Sequence, residues 1–134
     1  MVTADARVSG RVLLAADLVP AGRVVSYGDL AELVGTSARR VGRVMALHGH
    51  ETHWWRVVNH SGDLPGHLLA EAGDHWRAEG ITEKSNGRGC RIRDHRADLA
   101  ELAGEWERRR SGNGGGVGTA AEWERRLGAG GLSG

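Results

Sequence analysis

The sequence predicts a mainly α-helical fold with a central helix-turn-helix, winged-helix-like, and a minor β hairpin. Three observations predict it. Apolar residues recur at helical spacing, beginning with Val8, Val12, Ala15, Ala16 and Val19. Gly35 separates two further helical stretches, each opened by a small hydroxyl residue suited to capping, and the second carries Arg39, Arg40 and Arg43. Runs with extended character, such as Trp54 to Asn59, are short.

The first helix is stopped by Pro20-Ala21-Gly22, and Arg23-Val24-Val25 is a short extended piece. Ser26 stands three residues before Asp29, the spacing at which a serine oxygen takes a backbone N–H and the carboxylate sits at the positive helix end. Asp29 to Val34 is then a short helix with Leu30, Leu33 and Val34 inward, closed by Gly35. Thr36 or Ser37 caps a third helix to about Leu47. Its buried stripe is Val41, Val44 and Met45, and its three arginines lie on the other side. His48 to Glu51 reads as a loop, Trp54 to Asn59 as extended and Ser61-Gly62-Asp63 as a turn. A helix follows over His67 to Glu79, with Leu68, Leu69, Ala72 and Trp76 as its apolar face, and Cys90 to Arg93 reads as a short strand. The chain divides into a main domain over 1–95, a C-terminal helix over 96–110 and a Gly-rich tail over 111–134 whose composition predicts disorder. The pentapeptide Glu-Trp-Glu-Arg-Arg occurs at 105–109 and again at 122–126, too short to define a repeat fold.

The formal net charge of the 134 residues is +1, so the chain as a whole is no polycation and any nucleic-acid surface must be a local patch. The stretch from Ser37 to Arg56 supplies one: Arg39, Arg40, Arg43 and Arg56 stand against the single acid Glu51, with His48, His50 and His53 between them. A basic second helix in a helix-turn-helix points to DNA. The single cysteine, Cys90, rules out an internal disulfide and fits a reducing compartment. No signal peptide and no membrane-spanning apolar run are visible, which predicts a soluble cytoplasmic protein, nucleoid-associated in a bacterium.

Three blocks carry a more specific signal: Val24-Val25-Ser26-Tyr27-Gly28-Asp29-Leu30, Ala38-Arg39-Arg40-Val41-Gly42-Arg43-Val44-Met45, and Trp54-Trp55-Arg56-Val57-Val58-Asn59. Together they resemble the DNA-binding domain of the O6-alkylguanine-DNA alkyltransferase family, over about Arg7 to Ile81. In the family's enzymes the third block reads Pro-Cys-His-Arg, and that cysteine takes the alkyl group. Here the matching residues are His53-Trp54-Trp55-Arg56, the pattern of the alkyltransferase-like proteins. His53 replaces the proline, and the loop before Trp54 is shortened.

The resemblance implies recognition of O6-alkylguanine in duplex DNA by nucleotide flipping, without catalysis, and hand-over to nucleotide excision repair proteins. It implies no cofactor, no metal, no membrane and a monomer. Alkyl transfer needs a thiolate, and an indole offers no comparable nucleophile, so no catalytic residue is expected and Trp54 becomes a pocket wall. Arg39 is expected to enter the minor groove and fill the vacated stack, and Tyr27 to press on the phosphate beside the lesion. Ser26, Ser37, Ala38, Arg40 and Arg43 complete the expected DNA contacts, Ser26 first of all as a helix cap. The lesion pocket is expected from Tyr27, Trp54, Trp55, Val57, Asn59 and His67. His67 stands where some relatives stack an arginine on the base, which predicts blunter or pH-dependent base discrimination. Arg56 is expected to buttress the pocket without touching DNA.

Three other readings stay open on the residues alone. His48, His50 and His53 are spaced closely enough for a metal-responsive regulator. The helix-turn-helix also suits an ordinary transcription regulator reading undamaged DNA. Cys90, beside Arg91, is a conceivable alternative nucleophile.

Overall fold

The computed structural model describes residues 3–110 and 122–127. Its elements are α1 (Ala4–Asp17), β1 (Val25–Ser26), α2 (Tyr27–Val34), α3 (Ala38–His48), β2 (Val57–Val58), α4 (Leu69–Glu79), α5 (Ile92–His95) and α6 (Leu99–Arg110). Single 3-10 turns lie at Gly49–Glu51, Trp54–Arg56 and Gly66–Leu68. A helical turn spans 122–127.

Local chemistry sets the helix-turn-helix. The Ser26 hydroxyl accepts from the Asp29 amide at 3.0 Å while the Asp29 carboxylate accepts from the Ser26 amide at 2.9 Å, a complete capping box. Gly35, at φ +88°, closes α2 in the left-handed conformation that a residue with a Cβ adopts only under strain. Ser37, and not Thr36, caps α3 by accepting from the Arg40 amide at 3.1 Å.

The β element is a correction. Val25–Ser26 and Val57–Val58 pair in parallel, Val25 opposite Val57, and do not form a hairpin. The whole helix-turn-helix runs between them, so the chain crosses over and re-enters in the same direction. This short pair divides the interior. Val25 and Val57 face a core built from α1, α2, α3 and α6, whereas Val24 and Val58 face a second cluster with Ala72, Trp76, Ile81, Cys90 and Ile92. The expected strand at Cys90–Arg93 is also corrected. Only Cys90 makes a bridge, to Glu83, and α5 begins at Ile92. Gly62 fits that corner because an added Cβ would stand 2.2 Å from the Cys90 carbonyl oxygen, and its φ is +88°.

α6 is built into the first core through Leu102 and Trp106, and the Trp106 indole donates to the Arg11 carbonyl of α1 at 3.1 Å. Most of the tail expected to be disordered lies outside the described residues. For 122–127 the expectation is corrected, because these residues are helical and Trp123 is buried in the same core. The two copies of Glu-Trp-Glu-Arg-Arg share one local design. Each turns its tryptophan inward and pairs its first glutamate with its last arginine, Glu105 with Arg109 at 2.9 Å and Glu122 with Arg126 at 2.8 Å.

Candidate nucleic-acid interface

α3 presents two neighbouring faces. Its outer face carries Arg39 and Arg43, both exposed, and among the described residues neither has an ion pair or a hydrogen-bonded side-chain partner. They line a shallow groove with Ser37, Arg40, Leu47 and His48. Ser37 and Ala38 are exposed beside them. Arg40 differs, since it is paired with Asp5 of α1.

The adjoining face of α3, with Gly42, Met45 and Ala46, walls a cavity of about 260 Å³. At 100° per residue, Arg39 falls between Ala46 and Arg43 around the helix, so the free arginines border the cavity's rim. Tyr27 closes one side; the edge of its ring lies 3.8 Å from the Cβ position of Gly42, and burial pushes its phenol pKa up. Trp54 and Val57 form the floor, and Leu64, Pro65, His67, Leu68 and Glu71 form the far wall, with His50 at the loop end.

Tyr27, Trp54, Val57 and His67 therefore meet in one cavity. Trp55 and Asn59 do not line it, which corrects two of the expected pocket residues. Trp55 is turned away by its own contacts. Its indole donates to Glu79 at 2.8 Å and its ring stacks on His75 at 3.6 Å between centroids. The Asn59 side-chain oxygen is occupied by the amides of Ser61 and Asp63, both at 2.9 Å, and shapes the turn after β2. Ser26 is likewise withdrawn from the expected DNA contacts, because it is 6% exposed and its hydroxyl is committed to the cap.

Below the floor lies a buttress. Arg56, 8% exposed, grips Glu79 and donates to the Val19 carbonyl at 2.9 Å. Glu79 also accepts from the Gly22 amide at 3.0 Å. Burial raises the Glu79 pKa, but the hydrogen bonds from Arg56, Gly22 and Trp55 outweigh it and hold the carboxyl at about 2. Trp54 packs edge-on against Trp55 and His75, with centroids 5.8 and 6.0 Å away. Arg56 thus holds the segment that carries Trp54.

Cys90 is fully buried in the second core, and burial pushes its thiol up to about 11. At neutral pH roughly one thiol in ten thousand would be thiolate, and Cys90 does not line the cavity. The three histidines diverge. His48 lies in the arginine groove, His50 at the cavity, and His53 bonds through Nδ1 to the Asp17 carbonyl at 3.2 Å. Among the described residues no group of three metal-ligating side chains converges. No described helix is long and apolar enough to cross a membrane.

Several lining residues were not among those expected. Met45 is read from the sequence as core and His50 as a metal candidate, while Glu71 carries no motif. The available signal for Glu71 is its place one helical turn beyond His67.

Residues 7–85 match the family model described as 6-O-methylguanine DNA methyltransferase, DNA binding domain. The chain is 37% identical over 75 residues to proteins named DNA base-flipping protein from Escherichia coli K12 and Shigella flexneri. That match takes in 52% of this chain and 58% of each relative, so it spans little more than half their length. Among solved structures, the crystal structure of S. pombe Atl1 in complex with damaged DNA containing O6-carboxymethylguanine superposes with a TM-score of 0.57 at 27% identity. The superposition covers 68% of this chain and 94% of that one.

Proposed function

The chain belongs to the family of the 6-O-methylguanine DNA methyltransferase DNA-binding domain, and on that premise we propose that it recognises O6-alkylguanine in duplex DNA by flipping the nucleotide, without removing the alkyl group. One observation carries this reading: Trp54 lies in a cavity walled by Tyr27 and by the same helix that bears the free Arg39. A base leaving the stack costs a few kcal/mol, which must be returned by contacts inside the protein and by whatever fills the gap. The cavity supplies aromatic and aliphatic walls for a flat ring. Arg39, at the rim and without a competing partner among the described residues, is free to occupy the gap and bond to the orphaned cytosine. Arg43 and the Ser37–Ala38 helix start would contact the backbone beside it.

In this reading the protein is not an alkyltransferase. The residue at the reactive position is an indole, and the only thiol lies outside the cavity in its protonated form. A bound, unrepaired lesion needs a successor, which suits hand-over to nucleotide excision repair proteins by a monomer acting in the cytoplasm or nucleoid. The test is a titration of one duplex with and without O6-methylguanine at fixed salt, since phosphate contacts set the background. We expect at least about a tenfold preference for the modified duplex. Equal affinity would leave an ordinary helix-turn-helix DNA binder as the better description.

A further inference from the structure

The cavity holds one group that lesion binding alone does not explain, the carboxylate of Glu71. An acid on a surface meant for DNA opposes the phosphates, so its presence inside the lining asks for a reason. A helix-start role accounts for part of it, because Glu71 sits in the first turn of α4, where a negative charge is favoured. That role does not require a place in the cavity lining, and Glu71, though exposed, is part of that lining. Among the described residues it has no ion pair or hydrogen bond that would neutralise it.

Its location decides what it faces. His75 touches Trp54 edge-on, and Glu71 is one turn before His75 on the same side of α4. Glu71 thus lines the same cavity as Trp54, one helical turn from the residue whose ring packs on it. In the lesion-binding reading the O6 substituent points towards Trp54, the residue that aligns with the position from which the family's enzymes take it. The other titratable groups lining the cavity are His50, His67 and Tyr27.

Resting on the lesion-binding reading above, we propose that Glu71 is a specificity-determining residue that selects adducts by charge. It disfavours O6 substituents that carry a negative charge and favours neutral ones that donate a hydrogen bond. Two like charges a few ångströms apart at a half-open site repel enough to change affinity about tenfold. A hydroxyl at the same place gains an acceptor.

The test compares three duplexes of one sequence, bearing O6-carboxymethylguanine, O6-(2-hydroxyethyl)guanine or unmodified guanine, at fixed salt and pH 8. Wild type and Glu71→Gln are titrated with each. The readout is the ratio between the two adducts, which cancels the general gain in DNA affinity from removing a negative charge. We expect wild type to bind the hydroxyethyl adduct about tenfold more tightly than the carboxymethyl adduct, and Glu71→Gln to bring the two within about twofold. Wild type binding both adducts equally, or Glu71→Gln keeping the full gap, overturns the proposal. Neither adduct being preferred over unmodified guanine instead overturns lesion recognition itself. Glu71 is exposed and unpaired among the described residues, and circular dichroism of the variant checks that α4 is intact.

Discussion

Arg56 and Glu79 meet in a bidentate pair, Nη2 to Oε2 at 2.6 Å and Nε to Oε1 at 3.0 Å, that ties the segment just after Trp54 to the end of α4. The side chains are only 9% and 13% exposed, so the pair is shielded from water and has little freedom to re-form elsewhere. The cavity floor and its far wall are fixed to each other through this contact.

The pair makes stability depend on pH in a defined window. The folded-state pKa of Glu79, about 2, lies below its ordinary value of 4.5. The stabilisation is therefore fully present above pH 4.5 and is lost as pH falls towards 2. Its size is on the order of 3 kcal/mol. Urea unfolding of wild type between pH 5 and pH 3 should show the loss. Glu79→Gln should flatten that limb and cost about 3 kcal/mol at pH 7, because it leaves Arg56 buried without its partner charge.

Arg39→Ala should weaken binding to an O6-methylguanine duplex by about tenfold or more with no change in melting temperature. Arg39 has no ion pair among the described residues, so its loss removes nothing from the fold. Arg43→Ala should weaken modified and unmodified duplexes alike and reduce the slope of log K against log salt by about one. A selective loss in Arg43→Ala and a uniform one in Arg39→Ala would reverse the roles assigned to them.

Incubation with methylated duplex should leave the intact mass of the protein unchanged. Cys90 should react with a thiol reagent only on unfolding, because it is fully buried and its thiol is raised to about 11. Cys90→Ala should retain the preference for the lesion. A gain of one methyl group, abolished by Cys90→Ala, would make the protein an enzyme after all.

The two tryptophans of the repeated pentapeptide should differ in weight. Trp106 is anchored in a twelve-residue helix and bonded to the Arg11 carbonyl, whereas Trp123 sits in a six-residue helical stretch over 122–127. Trp106→Ala should cost about 3 kcal/mol in chemical unfolding. Trp123→Ala should cost about 1–2 kcal/mol, since its segment can detach without opening the rest of the core. Equal losses would mean that both segments belong to one cooperative unit.

Much of the fold was legible where the chemistry is local. Ser26 with Asp29, Gly35 and Ser37 act within three or four residues, so spacing alone places the helix starts and the turn. Tyr27, Trp54 and Val57 stand in short contiguous family blocks, and the resemblance adds His67 beyond them. Trp55 and Asn59 were misplaced because adjacency in sequence does not fix direction. Trp55 is aimed by Glu79 and His75, more than eighteen residues away, and Asn59 by the turn that follows it. His50 carries no pattern that separates a cavity wall from a solvated surface, and Glu71 carries only its spacing from His67.

By itself, then, the chain's order of residues determined the capped starts of α2 and α3 and the turn between them, the basic face of α3 and the absence of a thiol beside Arg56, since all of these follow from caps, periodicity and residue identity. Only the tertiary structure decided that Val25–Ser26 pairs in parallel with Val57–Val58, that Arg96 reaches Asp29 and Arg56 reaches Glu79, and that Glu71 joins the cavity that Trp54 lines. The two ion pairs bring together groups 23 and 67 residues apart. Such contacts form where packing of the whole chain leaves a charge or a strand edge with a single place to be satisfied, and no local pattern encodes which place that is.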